Sequence, residues 1–152
     1  MAVVRGQTGK LKIFFTTETR GTKKTKSSML IQKELTEQII GAAIGVHREL
    51  GPGLLESADE ECLCHELHLR GLGVRRQLDL PISYKGLKLN CGYRLDIVVE
   101  DSVLIELKSI EQILPIHQAQ FLTYLRLSGK KVGLLINFNV SVLKNGFVRR
   151  VL

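Results

Sequence analysis

Asp96, Glu106 and Lys108 bring two carboxylates and an amine into one short stretch, L-D-I-V-V-E-D-S-V-L-I-E-L-K, residues 95–108. Two apolar runs flank the polar tip Glu100-Asp101-Ser102, the pattern of a β-hairpin. Side chains alternate faces along a strand, so Glu106 and Lys108 share one face while Ile105 and Leu107 take the other. With the three tip residues as the loop, Val99 pairs with Val103 and Asp96 falls opposite Glu106. Directly opposed residues lie about 5 Å apart and point the same way. Carboxylates held that close repel unless a cation lies between them, and hard divalent ions prefer oxygen ligands. The spacing therefore predicts an acidic patch with one lysine, suited to a metal ion. An ion pair on a solvated sheet face is the alternative for the same three residues.

The elements that must position this hairpin follow from periodicity. Leu35, Ile39, Ala42, Ala43, Val46 and Leu50 recur at helical spacing, with Thr36 as the expected N-cap and Gly51-Pro52-Gly53 as the stop. His47, near that end, meets the negative pole of the helix and reads as structural. A second helix is expected to open on the capping box Ser57-Ala58-Asp59-Glu60, to bury Ala58, Leu63 and Leu67, and to stop at Gly71. Glu56 stands at its N-terminal edge, where the helix dipole favours an anion.

Residues 74–84 and 87–99 alternate as two strands around a Lys85-Gly86 turn, with Pro81 suggesting an edge position. On the first, Val74, Leu78, Leu80, Ile82 and Tyr84 are expected on one face. On the second, Leu87, Leu89, Cys91, Tyr93, Leu95 and Ile97 share a face and Asp96 takes the other. Residues 103–109 complete a three-stranded antiparallel meander. A third helix is expected over Pro115–Ser128, proline at its start and Gly129 at its end. Phe121, Leu122 and Leu125 would pack, and His117, Gln120 and Tyr124 form a polar stripe. The apolar run in residues 131–138 reads as a buried strand, and the helical crossover before it is long enough for a parallel neighbour. A last strand within residues 146–152 closes an edge.

Charge is unevenly placed. Residues 1–33 hold eight Lys/Arg against the single acid Glu18, so they carry the whole net charge of +7. Residues 34–152 hold fourteen of each sign, so a basic groove there must be local. Residues 1–30 read as a basic, flexible extension able to add phosphate affinity, with residues 11–17 as a short strand, and residues 31–152 as one domain. An incidental leader is the alternative for the extension. No apolar run approaches the roughly 20 residues of a membrane span, and residues 1–30 lack the apolar core of a secretory signal. Cys62, Cys64 and Cys91 are odd in number and lack a paired metal-site spacing, which fits a reduced, cytoplasmic protein. Low aromatic content, 5%, argues against a platform that stacks single-stranded bases.

The order helix, meander, helix, strand, with acids on the meander and at an early helix, resembles the PD-(D/E)xK nuclease superfamily. Residues 35–152 more closely resemble the small GxxExxY protein family. The matching stretches are L-T-E-Q-I-I-G-A-A-I-G-V-H-R-E-L-G-P-G-L-L-E-S, C-G-Y-R-L-D, I-E-L-K, Q-A-Q-F-L-T-Y-L and G-L-L-I-N-F. The resemblance implies an α/β, restriction-endonuclease-like core: a mixed central sheet, antiparallel meander plus a parallel strand, flanked by helices. It assigns Asp96 to the first strand acid, Glu106 and Lys108 to E-x-K, Glu56 to the helix acid, and Gln120 and Tyr124 to a trailing Q-x-x-x-Y. Asp96 and Glu106, with Glu56 through water, would hold Mg²⁺ or Mn²⁺, which keeps several waters of its own. Lys108 would act on the attacking water and the phosphate, and Gln120 and Tyr124 would touch nucleic acid or steady the site; a buried polar pair is their alternative. Gly53 and Glu56 match the family name, but Asp59 stands where its tyrosine is expected, and Leu95 replaces the proline before Asp96. Asp59→Tyr is expected to be tolerated on that ground. The implied function is metal-dependent hydrolysis of phosphodiesters in DNA or RNA. A catalytically inactive nucleic-acid- or partner-binding module on the same fold is the alternative, and a nuclease needing a protein partner or a second copy is also compatible.

Overall fold

Residues 20–152, with side chains from Lys26 onward, are described by a computed structural model. Over them the chain runs α1 (Arg20–Leu50), α2 (Glu56–Leu69), β1 (Val74–Asp79), β2 (Ile82–Tyr84), β3 (Leu87–Leu89), β4 (Arg94–Val99), β5 (Val103–Lys108), α3 (Pro115–Ser128), β6 (Val132–Asn137) and β7 (Phe147–Val151), with a 3₁₀ turn at Leu143–Gly146. The main sheet has the order β1-β4-β5-β6-β7. Its β5–β6 pair is parallel and its other pairs are antiparallel. β2 and β3 form a separate two-stranded sheet.

The sheet is buried on both faces, which is why β6 is apolar up to its last residue, Asn137, and buried throughout. Ile97, Val99, Ile105, Leu107, Leu134 and Ile136 pack beneath α1 and α2. Leu95, Val98, Leu104 and Leu135 pack beneath α3, against Phe121, Tyr124 and Leu125. The hairpin closes as the spacing predicts, with Val99 opposite Val103 and the ladder running to Ile97 opposite Ile105. α3 has the expected bounds, with Pro115 at its start and Gly129 in the left-handed conformation at its end. Its close approach to the sheet depends on Gly133, where an added Cβ would meet Phe121 at 2.6 Å and Leu125 at 2.9 Å. Gly133→Ala is therefore expected to cost about 1–3 kcal/mol through overpacking, read as a lower denaturant midpoint at unchanged slope.

Several expectations are corrected. Thr36 is not an N-cap but lies inside α1, buried, its hydroxyl donating to the Gln32 carbonyl at 2.6 Å. Residues 20–30, assigned to the extension, are helical and continue into α1, while the expected strand at residues 11–17 lies outside the described residues. Leu50 is largely exposed rather than part of the helix core face. α2 starts one residue before Ser57 with no side-chain cap, because Glu60 is drawn away to Arg76 and Gln77. The two long strands are each broken, the first before Pro81 and the second around Gly92, whose φ is 71°. Lys85 and Gly86 both have positive φ, the turn type that suits a two-residue hairpin.

The shared faces fail as well. Val74 packs under α1 and α2 while Leu78 packs under α3. In the same way Ile97 belongs to the first layer and Leu95 to the second. Among the described residues no helix is long and apolar enough to cross a membrane.

Candidate active site

The site lies where β4 and β5 part. The β4–β5 register puts Leu95 across from Leu107, one step beyond Asp96, but regular pairing has stopped by then. The Leu107 amide instead donates to Asp96 Oδ2 at 2.8 Å. A side chain thus takes the amide that a backbone carbonyl would have held, and the strands are free to separate around Asp96 and Glu106. Glu106 follows Leu104 on the α3 face and is 5% exposed. Its Oε1 accepts from Lys108 Nζ at 3.2 Å, whereas Oε2 is buried with no partner among the described residues.

Electrostatics make this a costly arrangement. Burial pushes the Asp96 carboxyl up, the Leu107 amide pulls it down, and Glu56, Glu60 and Lys108 act on it from further off. Burial also pushes Glu106 up, the Asp96 charge adds to this, and Lys108 offsets part of it. Burial alone would depress Lys108, but the Glu106 carboxylate beside it outweighs that and holds its pKa above the ordinary value. Two buried carboxylates, the Asp96 charge raising Glu106 and the one lysine paired with Glu106 offsetting only part of it, form a site short of positive charge.

The surrounding residues fall into two groups. On α3, Gln120 Nε2 donates to the Tyr124 hydroxyl at 2.9 Å. Tyr124 is buried, sits edge-on to Tyr93 at 6.1 Å between centroids, and is raised by burial and by the nearby Glu106 charge. The Q-x-x-x-Y pair is thus brought beside Glu106. His117 is not on that path: its Nδ1 accepts from the Leu114 amide at 2.9 Å and caps α3.

Glu56 is exposed at the start of α2 and acts on Asp96 and Glu106 only through its charge. Among the described residues no group of three or more His, Cys, Asp or Glu side chains is gathered around one metal-sized point. The expected trio of Glu56, Asp96 and Glu106 is therefore present as a pair with an outlying third acid. Its loop is tied to the site, since Ser109 Oγ donates to the Leu54 carbonyl at 2.8 Å.

Three neighbours were not singled out as functional residues from the sequence. Asn137, 1% exposed at the end of β6 opposite Lys108, bonds Ile110 through both ends of its amide, at 3.1 and 2.8 Å. It pins the chain just after Lys108, and the only signal was a polar residue in an apolar run. Asp59 is 2% exposed, its Oδ1 without a partner among the described residues. Burial raises it, His47 lowers it and Glu56 raises it. His47 itself is buried and donates from Nε2 to the Val140 carbonyl at 2.8 Å, a structural role. Glu60, also buried, accepts from Arg76 at 3.0 Å and from Gln77 at 2.7 Å.

A family model described as the PD-(D/E)XK nuclease superfamily matches residues 33–151, nearly the whole of the described chain. No curated protein and no solved structure matches.

Proposed function

The chain belongs to the PD-(D/E)XK nuclease superfamily, and from that premise we propose that it is a nuclease that hydrolyses phosphodiester bonds in DNA or RNA with Mg²⁺ or Mn²⁺. The observation that carries the reading is Glu106, buried beside Asp96 with one oxygen lacking a partner among the described residues. Mg²⁺ is commonly bound through one or two carboxylates and keeps its remaining waters, so Asp96 and Glu106 suffice as direct ligands. Glu56 would act through water. Bound there, the ion would supply Lewis-acid charge to a phosphoryl oxygen and ease the formation of a nucleophile from water.

The chain's own residues do the rest. Lys108, paired with Glu106 at 3.2 Å, would present a point charge to the phosphate and to the attacking water. Tyr124 and Gln120 offer a hydroxyl and an amide at the rim for the nucleic-acid backbone. Asn137 and Ser109 hold the two loops that bound the site. Gly53 and Glu56 also support membership of the GxxExxY family, with Asp59 in place of its tyrosine. A cytoplasmic location belongs to the same proposal.

The test is cleavage of plasmid, single-stranded DNA and RNA by the purified protein in Mg²⁺, in Mn²⁺ and in chelator. Metal-dependent cutting of at least one substrate is expected. No cutting of any of them would leave the fold as a binding module.

A further inference from the structure

Consecutive strand residues point to opposite faces, yet Arg76 and Gln77 both reach the one carboxylate of Glu60, at 3.0 and 2.7 Å. They can do so because Gln77 has φ 49°, a left-handed conformation that glycine or asparagine usually takes. The β1–β4 pairs on either side are intact, Arg76 with Ile97 and Leu78 with Leu95, but the ladder lapses between them. The residue facing Gln77 across that lapse is Asp96. Both strands change faces there: Val74 and Ile97 pack under α1 and α2, Leu78 and Leu95 under α3. Without this switch Leu95 would continue the Ile97–Val99 face and Asp96 would alternate normally against Glu106. With it, Asp96 is turned so that its Oδ2 takes the Leu107 amide.

We propose that Glu60 and Gln77 are positioning residues for the proposed active site: Glu60 clamps Gln77 in its left-handed kink, and the kink aims Asp96 at the point where β4 and β5 part. The placement of Glu60 supports this. It is 6% exposed, lies one turn beyond Glu56 on α2, and gives its two oxygens to adjacent residues of β1. The inference rests on the nuclease reading only for the purpose of the site, since the backbone switch exists without metal or substrate.

The kink reverses the usual preference of a strand. At an ordinary strand position valine is favoured and glycine is weakening; at a positive-φ position glycine is free and valine is strained. The experiment uses the full chain carrying Gln77→Gly, Gln77→Ala, Gln77→Val or Glu60→Leu. Amide hydrogen exchange at Leu107 is followed by NMR without metal, with Asp96→Ala as the unprotected limit. The Mn²⁺-induced melting shift of each variant is the second readout.

Gln77→Gly is expected to keep Leu107 exchange within threefold of wild type and to keep the Mn²⁺ shift. Gln77→Val and Glu60→Leu should speed Leu107 exchange at least tenfold and lose most of that shift. Gln77→Ala carries the comparison if the valine variant does not fold. Equal Leu107 protection in the glycine and the alanine or valine variants, or loss in all of them alike, would overturn the proposal. Leu107 exchange is read without substrate, so a wild type that cuts nothing would end the nuclease reading and leave this result standing.

Discussion

Lys108→Ala is expected to lower cleavage about a thousandfold while metal binding persists. Removing one group that stabilises developing charge, or moves a proton, typically costs about a hundredfold to ten-thousandfold. Lys108 is the cation bonded to Glu106, at 3.2 Å, and it binds no metal itself. Its loss leaves Glu106 without a partner, so the metal-free variant should melt lower than wild type. Added Mg²⁺ should recover much of that loss, because the ion replaces the missing charge. Single-turnover cleavage and melting curves on the same preparation separate the two effects. Cleavage at the wild-type rate by the variant would assign any activity to another site or to a contaminant.

The second large effect is that of Asp96→Asn on metal binding. An ion held only by the folded state stabilises it by about 2.7 kcal/mol when its free concentration is about 100 times Kd. In a domain of this size that is roughly 5–10 °C of melting temperature. Asp96→Asn removes a ligand charge and should abolish most of this gain. Without metal the same variant should melt slightly higher than wild type, since it removes the charge that raises Glu106.

A pH dependence follows. Asp96 and Glu106 are both raised in the folded state, first by burial, so the folded protein holds protons that the unfolded chain releases. That stabilisation is complete below the ordinary carboxylate range near pH 4 and is lost as pH rises through the raised values. In chelator the wild type should therefore lose melting temperature between pH 5 and pH 8. Asp96→Asn should flatten the decline, and saturating Mg²⁺ should offset it. A wild-type curve that rises over this range would mean that the pair is ionised without penalty in the fold.

The hairpin at residues 95–108 was legible because its signals are local: a polar tip, alternation, and charges at fixed offsets. α3 was legible for the same reason, with proline and glycine at its two ends. The parallel β5–β6 pair followed from the length of the crossover between them. What escaped was set by contacts distant in sequence. Glu60 fits a capping box locally, but Arg76 and Gln77 offer it stronger partners across the fold.

Nothing in a glutamine marks a left-handed position, so the face switch at Gln77 and Asp96 was invisible, and Val74, Leu78, Leu95 and Ile97 were assigned to common faces they do not share. Thr36 looked like a cap because the helical periodicity became clear only after it, while α1 begins at Arg20. Glu56 was expected to act through water, and it lies at the exposed start of α2, with no three-carboxylate cluster among the described residues.

Calorimetric titration of the metal-free protein with Mn²⁺ tests the central claim most directly, that Asp96 and Glu106 together hold a divalent ion. The wild type is expected to bind Mn²⁺ saturably, Lys108→Ala to bind it as well, and Asp96→Asn to bind at least tenfold more weakly. Binding by Asp96→Asn equal to wild type, or no binding by the wild type, would contradict the account.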